Sequence, residues 1–74
     1  MTRRACVIDG VEWMVYDVRP RGSAAADTTL ARGWLCYERG SERRRLVPIP
    51  ERWETLPESQ LVALWPATTP AKLR

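Results

Sequence analysis

Asp9-Gly10 stands between two apolar runs, Ala-Cys-Val-Ile at residues 5–8 and Val-Glu-Trp-Met-Val-Tyr-Asp-Val at residues 11–18. Asp-Gly in this setting is the strongest short-range hairpin signal. Both positions of the two-residue turn that matches strand twist need positive φ, and glycine adopts it without steric penalty. Alternation in the second run puts Val11, Trp13 and Val15 on one side and Met14, Tyr16 and Val18 on the other. Both sides are apolar. A flat sheet with one wet face would not read this way, whereas a curled sheet or small barrel would.

Residues 33–50 form a second unit of the same kind. An aromatic and aliphatic run at 33–37 and an aliphatic run at 46–49 flank a segment, 38–42, that contains Gly40 and Ser41. This predicts strand, short loop, strand. Trp34 and Cys36 share one face of the first strand, and Leu35 and Tyr37 the other. On the returning strand Arg43 and Arg45 share a side with Val47, and Arg44 shares one with Leu46. Three consecutive arginines cannot all enter a core, because an unpaired buried guanidinium is costly. Pro48 and Pro50 remove backbone donors and predict that this strand is an edge.

The chain has 74 residues, enough for one domain with a small core that must be rich in large side chains. Trp13, Trp34, Trp53 and Trp65 fit that need. Trp53, flanked by charges, is expected to plug one end of the barrel, the alternative being an exposed contact. Residues 19–29 mix Pro, Gly and small polar residues and read as a long loop. Thr55-Leu-Pro-Glu58 has the capping-box spacing and predicts a helix over 57–65, with Leu61, Leu64 and Trp65 on one stripe and Pro66 ending it. The expected organisation is a single domain at 1–67 and a flexible polar tail at 68–74. The fold class expected is α+β, mainly β: two antiparallel hairpins curled into a small barrel or sheet with one short C-terminal helix.

The run Gly33-Trp-Leu-Cys-Tyr-Glu38, followed by Arg43-Arg-Arg-Leu46, Pro48-Ile-Pro50 and Trp53, resembles a group of short bacterial proteins of unassigned function. The strand–turn–strand–helix layout also resembles the small SH3-like barrels of bacterial regulators. Neither resemblance implies an activity or functional residues for this chain.

The chain contains no histidine, which removes the commonest general base and metal ligand together with every Ser-His and Cys-His arrangement. Cys6 and Cys36 have no second ligand at metal-binding spacing, so no metal site is expected. They read as reduced, buried thiols in a cytoplasmic protein, although a disulfide is possible if their strands pair. Asp9, Glu12, Glu38 and Glu42 lie near the turns, where solvated charge is ordinary. Gly22 and Gly40 are isolated, so no phosphate-cradling loop exists. No apolar run approaches the roughly 20 residues of a membrane helix, and no membrane partner is expected. Neither enzymatic activity nor a cofactor is expected.

What remains is an arginine-rich edge. Arg39, Arg43, Arg44 and Arg45 cluster at the second hairpin, with Tyr37 beside them and Arg19 and Arg21 at the end of the first. Guanidinium forks bind carboxylates and phosphates in two-pronged fashion, and a tyrosine ring offers a stacking surface. The plain alternative is a solvated hairpin whose arginines pair across the strands with Glu38 and Glu42 and lay their stems over apolar surface. The net charge of +3 is modest, and interleaved glutamates repel a phosphate backbone. The functional expectation is therefore a non-catalytic module that binds an acidic surface of a partner protein, with nucleic acid as the alternative ligand. The sequence leaves the oligomeric state open.

Overall fold

Five antiparallel strands follow one another across a single sheet in chain order, and a short helix with a 3-10 turn on either side covers one face. The computed structural model describes residues 2–19 and 33–71. The loop expected at 19–29 therefore lies, from residue 20 on, outside the described residues.

Strands β1 (Arg3–Ile8) and β2 (Val11–Val18) form the first hairpin, with Ile8 opposite Val11, Cys6 opposite Trp13 and Arg3 opposite Tyr16. The turn residues have φ of 53° at Asp9 and 79° at Gly10, as the Asp-Gly chemistry predicts. Strand β3 (Trp34–Arg39) and β4 (Glu42–Leu46) form the second. Its turn is only Gly40-Ser41, so Glu38 and Glu42, expected in a loop, are strand residues. Strand β5 (Thr69–Pro70) pairs with the other side of β4, where Arg44 faces Pro70, and the Ala71 N–H donates to the Arg43 carbonyl at 2.8 Å. Two expectations are corrected here. Strand β4 is not an edge, and residues 68–71 of the expected tail lie against the sheet, with Thr68 buried; residues 72–74 lie outside the described residues.

The pleat sorts the side chains as the alternation predicts. One face carries Cys6, Ile8, Trp13, Val15, Leu35, Tyr37 and Leu46, all buried. Trp53 from the first 3-10 turn (Trp53–Thr55) and Leu61 from helix α1 (Glu58–Ala63) are buried against them. Trp65, in the second 3-10 turn (Trp65–Ala67), lies 4.6 Å from the Trp13 ring and edge-on to Tyr37 at 5.6 Å. Trp53 is thus buried, as expected, although there is no barrel end for it to plug. No closed barrel forms: β1 and β5 stand at opposite ends of one open sheet.

The helix is shorter than 57–65, and the capping box is not made. Leu56 is extended, as a residue before proline tends to be, so Pro57 sits at the N-cap and Thr55 is too early to cap. The Thr55 hydroxyl donates instead to the Arg52 carbonyl at 3.0 Å. After Ala63 the chain tightens to 3-10 geometry around Pro66, whose missing N–H ends the regular ladder. No helix among the described residues is long and apolar enough to cross a membrane.

Cys6 and Cys36 are both buried free thiols. They point to opposite faces from strands that are not neighbours, which removes the disulfide left open by the sequence.

Two glycines separate turn strain from packing. A Cβ on Gly10 meets nothing within 4 Å, so Gly10→Ala carries only the strain of φ 79°, about 1–2 kcal/mol. At Gly33 (φ 94°) a Cβ collides with the Val18 carbonyl oxygen and stands 3.1 Å from Ile49 Cδ1. Urea denaturation should therefore find Gly33→Ala the more destabilised of the two. Equal losses would mean that the Val18–Gly33 approach is not tight.

Candidate interaction surface

The sheet's two faces differ in cover. The face opposite the helix presents Arg3, Ala5 and Val7 from β1, Met14, Tyr16 and Val18 from β2, Trp34, Cys36 and Glu38 from β3, and Arg43 and Arg45 from β4. Among the described residues no other element packs over it, and Val7 and Met14 are the exposed large hydrophobic ones.

Register places Arg3, Tyr16, Cys36, Arg45 and Thr69 in one row that crosses all five strands. The Arg3 guanidinium carbon lies 4.9 Å from the centre of the Tyr16 ring, and that of Arg45 4.6 Å from the centre of Trp34. Between them Cys36 is buried under these larger side chains, although it lies on the less covered face. Arginine stems and aromatic rings thus supply the cover that two apolar faces demanded. Neither Arg3 nor Arg45 has a carboxylate partner among the described residues, and the Arg45 Nε is buried without an acceptor.

The expected site residues separate into three groups. Arg39 and Glu42, directly opposite, are joined at 2.8 Å, and Arg43 and Glu38, also opposite, at 2.7 Å. These are the cross-strand pairs that the plain alternative anticipated. They are partly or fully exposed, and such pairs contribute about 0–1 kcal/mol each. Arg19 is held by Asp17 at 2.9 Å at the end of the sheet away from the Gly40-Ser41 turn, where it lines a cleft of about 390 Å³ with Ile49, Arg52 and Trp53. It is not part of one edge with Arg39 and Arg43. Arg21 lies outside the described residues.

Tyr37 and Arg44 are corrections, since both belong to the helix-covered face. Tyr37 is fully buried and its hydroxyl donates to the Leu61 carbonyl at 2.7 Å, so no partner can stack on it. Arg44 lies over the Trp65 ring at 4.7 Å and donates to Thr68 twice, from Nε to Oγ1 at 2.6 Å and from Nη2 to the carbonyl at 2.8 Å.

Arg3 was absent from the arginine edge read from the sequence, which grouped arginines by proximity along the chain. The signal was there: a two-residue turn at Asp9-Gly10 fixes Arg3 opposite Tyr16 on the outward side.

Burial raises the Cys6 and Cys36 thiols above the usual range, and pushes the Tyr16 hydroxyl up to about 12. Its contact with Cys36 raises Tyr16 further, and its contact with Arg43 opposes the shift. Tyr37 is raised more strongly, again by burial first. Among the described residues no three or more of Cys, Asp and Glu converge as metal ligands would. Comparison with protein-family models, with curated proteins and with solved structures returns no match.

These shifts fix the sign of the alkaline response. The folded chain keeps protons that the unfolded chain releases above its ordinary thiol and phenol values, about 8.5 and 10. Their contribution is therefore complete below pH about 8.5 and is lost as pH rises. The Tyr16 part disappears between about 10 and about 12. Denaturation midpoints should be level from neutral pH to about 8.5 and then fall. Tyrosine absorbance should show no phenol of the folded protein ionising near its ordinary value of about 10. A phenol titrating there would contradict the full burial of Tyr37 or the partial cover of Tyr16.

Proposed function

We propose that this chain is a non-catalytic interaction module, adaptor or regulatory in role, and that the less covered sheet face binds an acidic surface of a partner protein. The observation that carries this reading is the pair of aromatic-stacked guanidiniums, Arg3 on Tyr16 and Arg45 on Trp34, without carboxylate partners among the described residues. Stacking fixes an arginine rotamer and leaves N–H donors at its rim to take a carboxylate in two-pronged fashion, with little further ordering on binding. Met14 and Val7 beside the row supply apolar contact. In this reading the sheet is an opened counterpart of the SH3-like barrels that the sequence layout resembles.

Nucleic acid fits the same surface less well. A base needs a free aromatic face, and both rings on this surface already carry a guanidinium. Glu12 and Glu38 share the face and repel phosphates.

Titration with poly-glutamate and with a single-stranded oligonucleotide, read by tryptophan fluorescence, tests the proposal. Poly-glutamate should bind, and Arg3→Ser with Arg45→Ser together should weaken it roughly a hundredfold while leaving the protein folded. Arg39→Ser, which removes an arginine already paired with Glu42, should change it little. Equal losses for both variants would reduce the effect to net charge and reject the stacked row as the site. Preferential capture of the oligonucleotide, with a linear log–log salt dependence, would turn the reading to nucleic acid.

A further inference from the structure

Strand β1 is an edge among the described strands, and its hydrogen-bonding groups have a defined direction. Ile8 and Val11 close the two-residue turn, so Arg4, Cys6 and Ile8 bond into the β1–β2 ladder. Arg3, Ala5 and Val7 turn their N–H and C=O groups outward. A side-chain contact to this outward row fits the direction: the Val7 N–H donates to Glu58 Oε2 at 3.0 Å. Glu58 is the first residue of α1, which Leu61 anchors in the core. A carboxylate oxygen thus occupies the place that the carbonyl of a neighbouring strand would take.

We propose that β1 is a self-association edge and that Glu58, by occupying the Val7 amide, holds the chain back from pairing with a second copy. The edge is self-complementary. Antiparallel pairing about Ala5 sets Arg3 against the second copy's Val7, Ala5 against Ala5, and Val7 against Arg3. All the outward groups of the three residues are then used. No like charges meet, and the side chains of Arg3, Ala5 and Val7 are all exposed, Val7 by 50 %. Each Val7 would be covered by the stem of an arginine from the other copy. Unpaired edges are a known association hazard, and an inward-reaching charge is one way of closing them. The inference uses the backbone groups of β1; it shares Arg3 and Val7 with the acidic-partner face but does not rest on that reading.

Sedimentation of wild type, Glu58→Ala and Glu58→Gln at one concentration series tests it. Wild type should be the weakest to self-associate, and Glu58→Ala roughly tenfold tighter or more, since each dimer no longer has to break two charge-assisted bonds. Glu58→Gln keeps an acceptor oxygen without the charge and should fall between wild type and Glu58→Ala. Adding Ala5→Pro to Glu58→Ala should restore the monomer, because that amide lies outside the β1–β2 ladder and proline removes it from the edge alone. A folded Glu58→Ala protein that stays monomeric overturns the proposal, as does a dimer indifferent to Ala5→Pro. Hydrogen exchange on wild type gives an independent reading that does not rely on any variant folding. The Val7 amide should exchange more slowly than that of Ala5, and equal rates also overturn the guard.

Discussion

The division of Arg43, Arg44 and Arg45 by the strand pleat is the constraint on which the rest of this structure depends. A sheet of five short strands has one face to bury, and few of the described residues lie outside the strands to bury it. The cover comes from residues 53–67, which contain one short helix and two 3-10 turns. Helices this short are not stable alone, so they are held by what they pack against. Arg44 holds the far end of that cover, with its guanidinium over Trp65 and both its donors on Thr68. Arg4 does the same near the other end, where its Nη1 donates to the Leu56 carbonyl and, at 3.3 Å, to that of Trp53. Two guanidiniums on the apolar face are tolerable because each finds backbone carbonyls and remains partly exposed.

The neighbours of Arg44 point the other way and meet a different demand. The opposite face is apolar at Met14, Tyr16, Val18, Trp34 and Cys36, yet no helix covers it among the described residues. Arg3, Arg43 and Arg45 lie over this surface or pair beside it. The same residue type therefore acts as clamp on one face and as cover on the other. The cover is where binding chemistry remains, since a stacked arginine still has donors to offer.

Much of this was legible because strand alternation is a strict period. The Asp9-Gly10 turn, the sorting of Trp34 from Leu35 and of Arg44 from Arg43 and Arg45, and the burial of Trp53 all follow from local chemistry and parity. The barrel did not follow. Apolar residues on both faces point to a curled sheet or small barrel only if both are packed, whereas long arginine stems cover one of them. Strand β5 was invisible because Thr69–Pro70 carries no alternation, and its pairing is imposed by the Arg44–Thr68 contacts beside it. Tyr37 looked like a ligand-facing aromatic only while its neighbours in sequence were considered. Its parity with Leu35, already readable, placed it in the core.

The account therefore rests on Arg44 being structural and Arg45 being superficial, although they are adjacent in the chain. Urea denaturation of Arg44→Ala and Arg45→Ala separates the two most directly. Arg44→Ala removes two hydrogen bonds from a charged donor and a stacked ring, and should lose about 2 kcal/mol or more. Arg45→Ala removes a stack on the less covered face and should lose about 1 kcal/mol or less. Equal losses, or a larger loss at Arg45, would contradict the division of the arginines on which both the fold and the proposed surface depend.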